Sequence, residues 1–297
     1  MRRHHDLPGK ILAAAPRYGA GMTEPAPSSR SARSDAAFGV QLRAWRLTRH
    51  LSQEELAGRA GVSSRHLSFV ENGRSQPSRE LVLALAGALD VPLRERNTLL
   101  AAAGFAAVFR ASPLDSAELA HLRRAIDHVL EQQEPFGAVV VDGAWNVIRV
   151  NRGAQRLFQC FPATSAAGLD AMRNLVLGIV HPEALRPYIV NWADVAGHLV
   201  ARLHREVAAH VGDDERARLL ARVVAQPGVP AEWRGYTPGR STAPFIPVHL
   251  RTADLDVKLF TMLTSIGTPL DVTAEEIHIE SYFPADDASE AALRALA

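Results

Sequence analysis

The sequence predicts an all-α domain of five short helices followed by an α+β domain built on an antiparallel sheet. Three observations carry that prediction. Between Ala36 and about Ala103, apolar residues recur at helical spacing in five brief segments separated by tight connections. Past Pro135 the texture changes to β-branched runs, Phe136 to Asp142 and Trp145 to Asn151, parted by a turn that contains Asp142-Gly143. Charge divides near the same junction: residues 1–110 hold 16 Lys+Arg against 9 Asp+Glu, whereas residues 111–297 hold 17 against 23. A basic front part and an acidic back part imply different partners. Almost all of the positive charge is arginine, which forks onto phosphates and guanine edges.

The chain has 297 residues, 47% of them hydrophobic, a formal charge of +1 and one cysteine. That length suits about two domains. No run approaches the roughly 20 apolar residues that a bilayer crossing needs, and a lone Cys160 closes neither an internal disulfide nor a thiolate zinc site. Membrane-spanning and disulfide-scaffold classes are set aside, a cytoplasmic address is expected, and no cofactor or metal is called for.

Residues 1–34 mix Pro, Gly, Ser, Ala and Arg without apolar periodicity and are expected to be a disordered tail. The apolar piece Ile11 to Ala15 is cut short by Pro16, too soon for a secretory signal, and Met22 is an alternative start. The first domain, 35–110, holds helices expected at 36–49, 52–60, 63–72, 78–89 and 93–103. Arg110-Ala-Ser-Pro-Leu-Asp115 breaks the pattern as a linker. Helical spacing resumes over 118–131 through Leu119, Leu122, Ile126, Val129 and Leu130. Within the second domain, 111–287, the two strands follow that helix, and helices are expected next at 152–160, 169–180, 183–188, 191–211 and 213–225. After a Pro/Gly-rich stretch, 226–244, come strands at 246–251, 256–265 and 275–283. The last alternates Ile277, Ile279, Ser281 and Phe283 with Glu276, His278, Glu280 and Tyr282. Residues 288–297 are expected to be a C-terminal tail.

The most informative stretch runs from Leu51 to Gly73. Ser52 can cap one helix while Glu55 bonds back to its amide, with Leu51 packed on Leu56, and Ser63 with Val62 and Leu67 repeats the start signal eleven residues on. Gly61 supplies the left-handed residue that ends the first helix, and small Ala57 permits a close crossing. The product is a helix-turn-helix. With Leu67 and Val70 facing inward, Ser64, Arg65, Ser68 and Phe69 face outward, where Arg65 can fork onto guanine, Ser64 and Ser68 can bond base edges, and Phe69 can touch a thymine methyl. Ser63 and His66 stand at the helix start within reach of base or phosphate. Gln53, Asn72, Arg74 and Arg79 are placed for backbone contacts that set register. Double-stranded DNA is the expected partner.

Ser-Gln-Glu-Glu-Leu-Ala, Ala-Gly-Val-Ser and Glu-Asn-Gly-Arg-Ser-Gln-Pro-Ser resemble the phage Cro-type, or XRE, family over about residues 36–103. The resemblance implies a partly buried ion pair between Arg46 and Glu71 that braces the first helix against the recognition helix. Farther on, Val-Val-Val-Asp142 through Trp145-Asn-Val-Ile-Arg-Val-Asn151-Arg-Gly-Ala resembles the opening of PAS-like sensor domains. Together with Asn191 to Val200 and Gly267 to Ala285, it is similar to the MmyB-like regulators. That likeness implies a PAS-like ligand-binding domain, with fatty-acid-like ligands for some members.

A sheet packed under helices can enclose an apolar chamber, for which the candidate walls are Phe158, Leu175, Ile179, Trp192, Leu199, Leu203, Phe260 and Met262. Asn151 or Asn191 can orient a polar head, and Arg202 with His198, four apart on one helix, can receive a carboxylate. Ordinary core packing is the competing reading for each apolar residue. His198, His204 and His210 recur every six residues, off the i, i+4 spacing of helical zinc ligands, and no Gly-x-Ser-x-Gly elbow or phosphate-cradling loop occurs. No catalytic residue is assigned. The sequence thus points to a DNA-binding regulator, not an enzyme, whose affinity responds to a small apolar ligand, acting as a homodimer by the logic of palindromic sites. The alternative makes the second domain a protein-interaction or dimerisation module.

Overall fold

The computed structural model describes residues 29–212, 214–235 and 245–297, with 29–36 described by backbone course alone. Residues 1–28, including Ile11 to Ala15 and Met22, lie outside the described residues, as do 213 and 236–244. The first domain comprises α1 (Ser29–Thr48), α2 (Gln53–Ala60), α3 (Ser64–Glu71), α4 (Arg79–Ala88) and α5 (Leu93–Ala102). Helix α1 begins seven residues earlier than the expected 36, inside the segment read as tail. The run from Ser29 to Phe38 is rich in Ala and Arg and contains neither Gly nor Pro, so nothing in it interrupts a helix. Phe38, Leu42 and Trp45 of α1 meet Leu56, Leu67, Val70, Leu85, Leu99 and Leu100 in one buried cluster.

The second domain adds α6 (Ala120–Gln132), β1 (Ala138–Val141), β2 (Val147–Val150), α7 (Arg152–Gln159), α8 (Ala166–Ala171), α9 (Leu175–Val180), α10 (Trp192–Ala209) and α11 (Asp214–Val224). It closes with β3 (Val248–Arg251), β4 (Asp256–Ser265), α12 (Val272–Glu276), β5 (His278–Pro284) and α13 (Asp287–Ala295). The five strands form one antiparallel sheet in the order β2-β1-β5-β4-β3. Strand alternation divides the core in two. Val139, Val141 and Tyr282 join Leu157, Leu177, Val200 and Leu203 on the face covered by α7, α9, α10 and α11. Ala138, Val140 and Ile279 turn to the other face, where Ile126 and Leu130 of α6 cover them.

Five local expectations change, the first being the helix expected at 183–188, which is a turn closed by a short 3-10 stretch, Arg186–Tyr188. The helix read over 169–180 is two, because Asn174 caps α9 through Leu177 N while its amide donates to Ala144 O in the β1–β2 connection. In that connection Trp145, not Gly143, takes the positive φ, 65°, and Asp142 organises the turn by accepting from Ala144 N and Asn146 N. Glu275 and Glu276 leave the last strand for α12, whose start is capped by Asp271. Residues 288–297 are no tail: Asp286 caps α13, and Leu293 and Ser289 are buried against the sheet.

Candidate nucleic-acid interface

Helix α3 owes its orientation to a buried polar brace. Arg46 Nε and Nη2 donate to the two carboxylate oxygens of Glu71 at 2.6 and 2.9 Å, and Arg46 Nη1 donates to Leu51 O at 2.9 Å. Both side chains are buried, and the hydrogen bond donated to Glu71 raises the Arg46 pKa above its ordinary value against the opposing effect of burial. Gln53 Nε2 adds a third donor to Glu71 at 2.7 Å. Charge, geometry and hydrogen bonding are therefore mutually satisfied, the condition under which a buried ion pair is tolerated. Gly39 of α1 lies against the end of α3 so closely that a Cβ there would stand 2.3 Å from Glu71 O. The capping box of Ser52 with Glu55 is formed in full, Gly61 adopts φ 69°, and Ser63 Oγ accepts from His66 N.

With Leu67 and Val70 buried, Ser63, Ser64 and Arg65 are exposed and His66, Ser68 and Phe69 half-buried. The Arg65 guanidinium lies over the Phe69 ring, 5.4 Å from its centroid. Asn72 closes α3 and donates to Ser68 O at 2.8 Å, while Arg74 and Arg79 stand exposed beyond it. Gln53 differs from its sequence reading: its amide is committed inward to Glu71. The spacing Gln53-x17-Glu71 offered no local sign of this.

The second domain scatters the residues expected to wall one chamber. Leu175, Leu203 and the half-buried Leu199 belong to the helix-side core, and Phe158 meets Tyr282 edge-on at 6.1 Å while lining an open surface groove. Trp192 Nε1 donates to Ile179 O, Arg186 stacks on the Trp192 ring at 3.7 Å, and Trp233 lies beside it at 5.8 Å. Phe260 and Met262 sit on the opposite sheet face by strand parity. There Phe260 stacks between Phe245 and Phe283, and Met262 is 58% exposed. Neither asparagine offers a spare polar head. Asn151 accepts from Ala138 N and Ala154 N and donates to Leu130 O and Phe136 O; Asn191 bonds Pro247 O and His249 N. His198 is exposed, whereas Arg202 turns away to pair with Glu206 at 2.8 Å and stack on Trp145 at 4.3 Å.

A junction that the sequence reading missed joins the two domains. Arg94 of α5 donates to both oxygens of Glu276 at 2.6 Å, and the Leu93 amide at the start of the same helix donates to Glu275 at 2.7 Å. Asp271 accepts from the Ser112 amide and hydroxyl in the linker while capping α12. Burial holds the Glu275 carboxyl above its usual range, opposed by the Leu93 bond. Behind these groups lies a cavity of about 290 Å³ lined by Glu95, Trp145, Arg202, Glu206, Arg216 and His278. Burial, helped by Arg202, lowers the His278 pKa. Asp271-Val-Thr-Ala-Glu-Glu is itself a helix-start pattern, and only its β-like continuation masked it.

Among the described residues, no group of His, Cys, Asp and Glu could hold a metal, and no helix is long and apolar enough to cross a membrane. Residues 42–96 match a helix-turn-helix family, and residues 122–296, more than half of the chain, match the family described as MmyB-like transcription regulator ligand binding domain. Among solved structures, the restriction-modification controller protein C.AhdI from Aeromonas hydrophila is 39% identical over 21% of this chain and 94% of its own, with a TM-score of 0.20. The clp gene regulator ClgR from C. glutamicum is 31% identical over 24% of this chain and 88% of its own, with a TM-score of 0.22. None of the curated proteins compared with the chain matches it. The matched families are those of regulators and not of enzymes. The chain belongs to the MmyB-like transcription regulators, with a DNA-binding helix-turn-helix domain ahead of a MmyB-like ligand-binding domain.

Proposed function

We propose that this regulator reads duplex DNA through the outward face of α3, with Ser63, Ser64, Arg65, His66, Ser68 and Phe69 toward the major groove and Asn72, Arg74 and Arg79 on the backbone. The observation that carries the reading is the brace of Arg46, Gln53 and Glu71, which immobilises α3 while its polar, basic side stays open to solvent. A first domain from α1 to residue 110 and a second from 111 to the end of α13 suit this division of labour. In a cytoplasmic homodimer, two such helices about 34 Å apart would meet half-sites one turn apart.

The second part of the proposal is that a small apolar, fatty-acid-like ligand in the C-terminal domain alters DNA affinity. The supporting geometry is a chain of rigid pieces. Strand β5 lies at the middle of the sheet and continues from α12, whose Glu275 and Glu276 grip the start of α5. A ligand that shifts β5 thereby has a lever on the DNA-binding domain, and it alters affinity only to the extent that it prefers one domain arrangement. A second reading, an interaction or dimerisation module, is favoured by the sheet face that leaves Phe245 and Met262 exposed. The test is selection of bound duplexes from a random pool, run with and without host lipid extract and paired with native mass spectrometry. A single enriched motif whose recovery changes with extract, together with a co-purifying lipid, is the expected result. Enrichment indifferent to extract, with an empty C-terminal domain, overturns the ligand part; no enrichment overturns the whole.

A further inference from the structure

We propose that Arg65 and Phe69 act as one stacked unit that reads a two-base step: a guanine preceded on its 5′ side by a pyrimidine bearing a C5-methyl group, thymine or 5-methylcytosine. The inference rests on α3 being the base-contacting helix and adds which bases it distinguishes.

The two side chains stand four residues apart on α3, the spacing at which helix neighbours meet, and the guanidinium carbon lies over the ring. Among the described residues, the Phe69 ring is the partner of this guanidinium, and no carboxylate holds it. By contrast, Arg46, Arg94 and Arg202 are held by Glu71, Glu276 and Glu206. A base edge that takes up Arg65 therefore displaces no anion. Nor can α3 roll to separate the pair from the groove, since Leu67 and Val70 are buried and Glu71 is held by Arg46 and Gln53.

Stacking then dictates what the ring can touch. An arginine that forks onto guanine O6 and N7 lies in the plane of that base. With the guanidinium carbon 5.4 Å from the Phe69 centroid, the ring lies beside that base, within reach of the adjacent base pair. The apolar feature that a base pair presents in the major groove is a pyrimidine C5-methyl group. On the 5′ side of the guanine, that methyl projects beside the N7 edge, so ring, guanidinium and methyl shed their water together. Losing the methyl is equivalent to losing one buried methylene, about fourfold in affinity. A CpG step is a poor match until its cytosine is methylated, which makes this readout responsive to DNA methylation.

The test uses the full chain and the tightest duplex selected from a random pool, titrated by fluorescence anisotropy at fixed salt. The guanine under Arg65 is located as the position whose preference is lost in Arg65→Ala. The base 5′ to it is then set in turn to thymine, uracil, cytosine and 5-methylcytosine. Thymine is expected to exceed uracil, and 5-methylcytosine to exceed cytosine, each by about fourfold, with both differences gone in Phe69→Ala. These pairs differ by one methyl on the DNA, so misfolding of a variant cannot imitate the effect in the unaltered protein. Equal binding within both pairs, on a duplex whose guanine is still read by Arg65, overturns the stacked unit and leaves base reading by α3 intact. If Arg65→Ala shifts no base preference, base reading by α3 itself fails and the inference goes with it.

Discussion

Removing Glu71 isolates what the buried brace contributes. In Glu71→Ala, Arg46 keeps its charge and its burial but retains only the Leu51 carbonyl as acceptor, while Gln53 loses its partner. Breaking a buried pair from one side costs about 3–5 kcal/mol because the remaining charge is uncompensated. Replacing both members by apolar residues, Arg46→Met with Glu71→Leu, removes charge and desolvation together and is expected to restore most of the loss. The two domains have separate cores, one cluster in the first and two in the second, so a whole-chain melt mixes transitions. Hydrogen exchange of the α2 and α3 amides in the intact chain is the better readout. At about 1.4 kcal/mol per decade, Glu71→Ala should accelerate their exchange by roughly two to three and a half orders of magnitude. If the double variant exchanges as fast as the single one, the loss comes from packing and not from a stranded charge, and the account of the brace is wrong.

The remaining expectations concern single positions. Gly39→Ala places a methyl against the backbone carbonyls of Val70 and Glu71, which cannot swing aside, and should cost at least about 1–3 kcal/mol in urea unfolding of the helical domain. Asn151→Ala leaves two buried amides and two carbonyls short of a partner and should cost about 3 kcal/mol or more, whereas Asn191→Ala, less buried, should cost less. His278 has a lowered pKa, so the unfolded chain binds its proton first; stability should fall as pH drops below 6.5, and His278→Gln should flatten that slope in denaturant titrations. Asp286, pushed down to about 2 by Ser289 and Lys258, should show that value by NMR; its stabilisation is present above 3.8 and lost as pH falls toward 2. Loss of Arg74 should weaken all duplexes alike and reduce the salt slope by about one, in contrast to Arg65→Ala, which should cost about 1–3 kcal/mol at one base position.

Local chemistry made the first domain legible. Ser52, Glu55, Gly61 and Ser63 act within one turn of their own positions, so caps and the left-handed residue can be read without knowing the fold. Period-two alternation likewise assigned Ile279 and Tyr282 to opposite sheet faces. Reading fails where two local signals compete: Asp271 to Glu276 is a helix start fused to a strand, and most of the expected tail, 288–297, is helical in α13.

The candidate ligand set shows the deeper boundary. Phe260 and Met262 are as apolar as Leu199 and Leu203, yet strand register sends them to the far side of the sheet. Asn151 and Asn191 look like free polar heads until β1, α6 and β3 arrive to use every atom. Residue type and short-range spacing decide helix ends, strand alternation and the presence of a recognition helix, because those depend on bonds spanning a few residues. Which side chain remains available for a ligand, and that Gln53 braces Glu71 while Glu276 clasps Arg94, depends on partners 18 and 182 residues away. Only packing in three dimensions brings such partners within reach of each other.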